Sequence, residues 1–235
     1  MKIRSQSAFT LIEMLVVISI IAVLAAFAVP ALTSALTKGQ MTGTMNNGRQ
    51  LYLAAQQMAL DGAANSDPNL VWPGDDTTNL GSLDNYMTRL VQQNYLKAGD
   101  VQKLLSGPGA SASVTTTGSG PTQTVAITGT SAFKIYPVAD ADASNVVFAA
   151  SRNYTYDTAL VSSSGSPPTP NNPFGDKGFI VQRKGGDAAI LRPNNAVAGA
   201  GASGTASFEA QVGKKPGEAQ GTVSAGDPAG FLHQP

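Results

Sequence analysis

Between Met14 and Leu32 only Ser19 and Pro30 interrupt an apolar run, which matches the roughly 20 residues an α-helix needs to span a bilayer core. A segment of this kind cannot be left in water, so the rest of the chain has to be arranged around it. Ahead of the run stands Phe9-Thr10-Leu11-Ile12-Glu13. An acid at the centre of such a helix costs about 2.5–3.5 kcal/mol on insertion scales, less toward an end, and the penalty falls when a cation becomes its partner. Lys2 and Arg4 precede Glu13 and no acid does. The positive-inside rule therefore keeps the short N-terminal flank cytoplasmic and exports the remainder.

Two plainer readings compete. A secretory signal peptide would use Met1 to Arg4 as its basic region and a small-residue site near Thr33-Ser34-Ala35. Against it, the apolar run exceeds the usual span of about 7–15 residues and Glu13 would sit at its head. A simple signal anchor would carry Glu13 incidentally, with the carboxylate reaching back to the headgroups.

The stretch Ser7-Ala8-Phe9-Thr10-Leu11-Ile12-Glu13-Met14-Leu15-Val16-Val17-Ile18 resembles the N-terminal processing and assembly motif of type IV pilins and type II secretion pseudopilins. The resemblance implies that a prepilin peptidase/N-methyltransferase cuts between Ala8 and Phe9 and methylates the new amine of Phe9. Glu13 is then the fifth residue of the mature chain. It further implies that Glu13 drives assembly, the amine of an incoming subunit neutralising the carboxylate of a neighbour. The residues equally permit pairing within one chain, where the helix N-terminus already favours a carboxylate. Ala8 departs from the family's usual glycine, and its extra methyl group at the cleavage junction is expected to slow processing without abolishing it.

Pro30 also falls where family members often carry a proline. It removes a backbone donor and crowds the carbonyl of Ala26, at a cost of roughly 3 kcal/mol in a helix interior. A kink or local loosening is expected there. Family resemblance points to unwinding in the filament, whereas membrane helices also tolerate proline without any role.

Beyond the apolar run, Thr37 to Gly48 is weak in helix propensity, with Gly39, Gly43, Gly48 and three threonines. Yet Met41, Met45, Gly48, Tyr52, Ala55 and Ala59 recur at helical spacing. The pattern predicts one helix from about Phe9 to Asp61, roughly 80 Å long at the standard rise. Its outer half, 37–62, should pack on a head.

The expected organisation is a leader over 1–8, a transmembrane and assembly helix over 9–36, the outer helix over 37–62, a globular head over 63–192, and a flexible Ala/Gly/Ser/Pro-rich tail over 193–235. Docking of Phe208 or of Phe231-Leu232 is the exception expected in that tail. Within the head, Leu83 to Leu96 reads as a helix, and Asp100 is placed to cap another from Val101 to Leu105. Gly107 to Gln123 reads as a flexible Gly/Ser/Thr loop. Strand signals fall at Val125–Ile127, Phe133–Tyr136, Val146–Tyr156, Phe179–Gln182 and Ala188–Leu191, the last two flanking a Lys184-Gly185-Gly186-Asp187 hairpin turn. The class is α+β and pilin-like, a long helix laid on a small antiparallel sheet. Trp72 is expected as a core plug rather than a binding platform.

Charged residues make up only 13% of the chain and its 15 basic and 15 acidic groups cancel, so no electrostatic field points to nucleic acid. No G-x-S-x-G, P-loop or H-E-x-x-H pattern occurs and the single histidine is His233, which argues against an enzyme. With no cysteine, neither a disulfide nor a thiolate metal site can form. No cofactor is required. The one cation considered is calcium, with Asp140, Asp142, Asp157 and Asp176 as candidate ligands. Asp140-Ala141-Asp142-Ala143-Ser144-Asn145 opens like an EF-hand loop but lacks its glycine and bidentate glutamate, and a solvated turn explains it as well.

The resemblance thus implies a filament subunit in the bacterial inner membrane. Its partners would be copies of itself, other pilin-like subunits, the peptidase and an inner-membrane assembly platform. The missing disulfide leans toward a type II secretion pseudopilus over a type IV pilus. A monomeric anchor displaying a binding head is the rival from another class. Intact mass separates these: a processed subunit loses Met1 to Ala8 and gains one methyl group, whereas an anchor keeps its leader.

Overall fold

The computed structural model describes residues 10–161, 174–199 and 204–234, in two units, Met1–Gly39 and Gln40–Pro235. One helix, α1 (Leu11–Asn65), runs through both. Its bounds match the expected helix to within a turn, and the weak stretch from Thr37 to Gly48 is helical throughout. Packing supplies what propensity lacks. From Gln40 onward the helix buries Met41, Thr44, Gly48, Leu51, Tyr52, Ala55, Met58 and Gly62, the spacing of a single face.

Glycine is required at the far end of that face. A Cβ on Gly62 would lie 1.8 Å from the carbonyl oxygen of Leu70, so the chain returning from α1 can close over the helix only there.

Three short helices follow. Asp76 caps α2 (Thr77–Leu80) and Ser82 caps α3 (Leu83–Gln92), each accepting from a backbone N–H three residues on. The next helix, α4 (Ala98–Leu105), starts earlier than expected, with Asp100 inside its first turn instead of capping it. An acid in that position complements the dipole without closing the cap.

The strands form two sheets instead of one. A two-stranded antiparallel ribbon joins β1 (Ala112–Thr117) and β2 (Thr124–Gly129). The first of these lies in the segment expected as a flexible loop. Its threonines suit a strand half-open to solvent, and Thr88 of α3 clamps β2 by donating to the Val125 carbonyl and accepting from the Val125 N–H. The main sheet is β3 (Phe133–Ile135), β4 (Val147–Ser151), β5 (Phe179–Arg183) and β6 (Ala188–Leu191), antiparallel in sequence order. The expected hairpin over Lys184–Asp187 joins the last two strands.

Helix α1 covers one face of this sheet. Phe133 meets Gly48, and Phe148, at a register irregularity in β4, lies edge-on to Tyr52 and Trp72 with centroids 5.8 and 5.6 Å away. Trp72 is therefore a core residue, as expected.

The C-terminal segment is fastened to the sheet through Phe208 and Leu232, the two places where docking was expected, and through polar ties that were not expected. Helix α5 (Gly204–Gln211) docks Phe208 edge-on to Tyr156. Leu232 exchanges two backbone hydrogen bonds with Ile135 on the sheet edge, and the Lys214 carbonyl accepts from Val147 N–H. Composition concealed this because the ties are polar. Lys134 Nζ lies 2.7 Å from Asp227 Oδ2, with both side chains nearly buried. The other oxygen of Asp227 accepts from Tyr136 Oη and from the Tyr156 N–H. Burial, then the Asp227 carboxylate, push the Tyr136 phenol well above its ordinary value. Lys215 Nζ is held by Ser224 O, Ser224 Oγ and Gly226 O and pairs with Glu218.

Removing one member of a buried pair leaves an uncompensated charge, which costs about 3–5 kcal/mol. Asp227→Ala should lower stability in urea unfolding by that amount. The double variant Lys134→Met/Asp227→Ala should recover much of it.

Candidate functional site: the capped apolar helix

Every residue from Thr10 to Leu36 is exposed, including Leu11 at 83% and Phe27 at 77%. A continuous apolar surface on this scale marks contact with a membrane or with other protein. Three hydroxyls in and just beyond it are turned inward on the helix itself. Ser19 donates to the Val16 carbonyl at 2.7 Å, Thr33 to the Pro30 carbonyl at 2.9 Å and Thr37 to the Thr33 carbonyl at 3.0 Å. In hydrocarbon no water is present to satisfy such groups, so internal pairing is the arrangement that tolerates insertion. The helix is continuous through Pro30.

Glu13 sits in the first turn of α1, bonded to a residue that the sequence reading had not singled out. Its Oε2 accepts from the Thr10 backbone N–H at 2.8 Å and from Thr10 Oγ1 at 2.7 Å, and Thr10 Oγ1 accepts from the Glu13 N–H at 3.3 Å. This reciprocal pattern is a capping box, with Thr10 at the N-cap and Glu13 three residues on. The T-x-x-E spacing was the available signal. The carboxylate thereby satisfies one end of the helix within its own chain, through Thr10. Ala8 and Phe9 lie outside the described residues.

The four candidate calcium ligands do not form one site. Asp140 and Asp142 are brought together, but their backbone carbonyls accept from Lys184 Nζ, so an ammonium sits where those oxygens converge. The Asp142 carboxylate is turned to the Ala139 N–H at 2.8 Å, and that of Asp157 accepts from the Ala198 N–H at 2.8 Å. Asp176 pairs with Lys177 at 3.2 Å. Among the described residues no group of three or more His, Cys, Asp or Glu side chains is placed to hold a metal.

Loss of an N-cap hydroxyl typically costs about 0.5–2 kcal/mol of local helix stability. Thr10→Val should therefore increase amide hydrogen exchange at Ile12 and Glu13 in micelles, and Thr10→Ser should leave it near the original rate.

Residues 3–29 match the family described as the prokaryotic N-terminal methylation motif. Two type IV major fimbrial proteins, FimA, of Dichelobacter nodosus are similar to the chain. One is 35% identical over 75 residues, 32% of this chain and 46% of the relative; the other is 33% identical over 69 residues, 29% and 44%. The chain thus spans somewhat under half the length of these relatives. No solved structure matches. Residues 3–29 thus carry the prokaryotic N-terminal methylation motif on an exposed apolar helix that opens on a capped glutamate, and about a third of the chain is similar to type IV major fimbrial proteins.

Proposed function

We propose that the chain is a structural filament subunit that enters the inner membrane through residues 9–36, N-terminus cytoplasmic, and exports its head. A prepilin peptidase trims it between Ala8 and Phe9 and methylates the Phe9 amine. Subunits then polymerise through α1 with one another and with other pilin-like subunits, on an inner-membrane assembly platform. One observation carries this reading. The same helix that is wholly exposed and apolar up to Leu36 becomes, from Met41 onward, the core of a folded head.

In this scheme Glu13 has two successive partners. Thr10 holds the carboxylate in the free subunit, and the positively charged amine of an arriving neighbour competes for it in the filament. The bonds to Thr10 and to an ammonium are both charge-assisted, but only the ammonium brings an opposite full charge, which in lipid relieves the burial of a single charge. Subunit addition is favoured by that difference.

The machine served has two readings. The absence of cysteine and a head closed by ion pairs instead support a type II secretion pseudopilus, a short periplasmic piston. The fimbrial relatives favour a type IV pilus acting in adhesion, motility or DNA uptake. Labelling cells with antibody against the head separates them, since a pilus carries the label outside the cell.

The assembly role is tested by coexpression with a prepilin peptidase. Glu13→Ala and Glu13→Val should still be processed, while their recovery in sheared filaments falls by about tenfold, the factor that ~1.4 kcal/mol carries in an equilibrium. Undiminished incorporation of both variants would exclude a role for the acid in assembly.

A further inference from the structure

A strand at the rim of a sheet carries unpaired N–H and C=O groups that template pairing with another strand. Most such rims in this head are covered or charged. The outer edge of β3 is taken by Leu232, which exchanges hydrogen bonds with Ile135. The outer edge of β2 is taken by side chains from successive turns of α3: the Asp84 carboxylate accepts from the Ile127 N–H, Thr88 bonds both backbone groups of Val125, and Gln92 donates to the Gln123 carbonyl. β6 runs between Asp187 and Arg192, and flanking charges of this kind discourage pairing.

β1 has none of these protections. It pairs with β2 without a bulge, from Ala112 opposite Gly129 to Thr117 opposite Thr124. The Thr130 N–H donates to the Ser111 carbonyl, which continues the ladder and sets its alternation. Ser113, Thr115 and Thr117 therefore exchange hydrogen bonds with β2, while Val114 and Thr116 turn their backbone groups to the open side. Among the described residues nothing bonds to those groups there. Thr116 is exposed and Val114 half-buried, whereas Ala112 is buried, so the usable edge runs from Val114 to the end of the strand. Valine and threonine favour extended backbone. No proline interrupts the strand, and no charged residue lies between Lys103 and Lys134.

We propose that this edge binds a second copy of itself, β1 pairing antiparallel with β1 across a two-fold axis at Thr115. In that register Val114 of each copy exchanges backbone bonds with Thr116 of the other, which uses the residues that turn outward. Thr115 then faces Thr115, and Ser113 faces Thr117, on the solvent side of the ribbon; hydroxyl pairs of this kind stabilise neighbouring strands. On the other side Val114, packed against the core of its own head, gains the methyl group of the opposing Thr116. The absence of charge selects the partner. A charged peptide finds no counter-ion on this strand, whereas an identical neutral strand meets no repulsion. The contact is isologous and closes on itself, so it joins heads in pairs without propagating. It lies wholly within the head and does not rest on polymerisation through α1.

The chain has no cysteine, so a single introduced thiol reports the contact. Opposed residues of a non-hydrogen-bonded antiparallel pair have Cα atoms about 4.5 Å apart, within the roughly 4.4–6.8 Å that a disulfide spans. Full-length Thr115→Cys in a neutral detergent, oxidised with copper phenanthroline, is expected to form a covalent dimer. Ala126→Cys, exposed on the same side of the ribbon but on β2, should cross-link about tenfold less, the factor carried by ~1.4 kcal/mol of pairing. A mixture of Ser113→Cys and Thr117→Cys should give more dimer than either alone. In the Thr115→Cys background, Thr116→Pro removes an N–H that the β1–β2 ladder does not use, and Thr116→Lys places a charge on the edge. Each should lower cross-linking about tenfold with the thermal unfolding midpoint unchanged. Equal cross-linking of Thr115→Cys and Ala126→Cys, or a dimer that survives both edge variants, would overturn the proposal. So would Thr115→Cys that stays monomeric, which leaves the edge to an extended segment of another polypeptide.

Discussion

The structure depends on one constraint: a single helix has to satisfy two different surroundings. From Leu11 to Leu36 the side chains of α1 are exposed and almost wholly apolar, and no water-compatible fold can hide them all. From Met41 to Gly62 a narrow face of the same helix is buried against a sheet. The backbone hydrogen bonds never change partner across that transition, because an α-helix satisfies its own N–H and C=O groups in either setting. This is why three glycines and three threonines in the weak stretch do not break α1. Its buried face is fixed by Phe133, Tyr52 and Phe148, and packing outweighs the few tenths to ~1 kcal/mol per residue that propensity withholds.

At the other end of the chain polar contacts do the fastening. Three lysine ammonium groups are surrounded by backbone carbonyls and carboxylates: Lys134 by Tyr154 O and Asp227, Lys184 by Asp140 O and Asp142 O, and Lys215 by Ser224, Gly226 and Glu218. Each closes a loop that the apolar residues alone leave open. The arrangement resembles what a bound divalent cation does for a loop, with the charge supplied by the chain itself. Buried ion pairs add little net stability compared with apolar packing, but they fix which segment lies where, and here they fix the C-terminal segment on the sheet.

This explains which parts of the molecule could be read from residues alone. Periodicity exposed α1, α3 and the hairpin of β5 and β6, since each places large apolar groups at a regular interval. Glu13 was visible because a charge at the head of a lipid-length helix demands a reason. By contrast, β1 is built of threonines whose neighbours gave no alternation, so the register with β2 and the clamp from Thr88 had no signature. The C-terminal segment has few apolar side chains, and its attachment to the sheet rests on Asp227 and Leu232 meeting Lys134, Tyr136 and Ile135 more than 90 positions earlier, contacts that no local window can contain. Thr10 was legible in principle, as a T-x-x-E box, but the carboxylate drew attention to the membrane and away from the cap.

The lysine cages have a consequence for where the head can mature. Closure by ammonium and carbonyl needs no oxidant, no isomerase for sulfur exchange and no particular glutathione poise. The closure of this head is therefore the same in reducing and in oxidising surroundings.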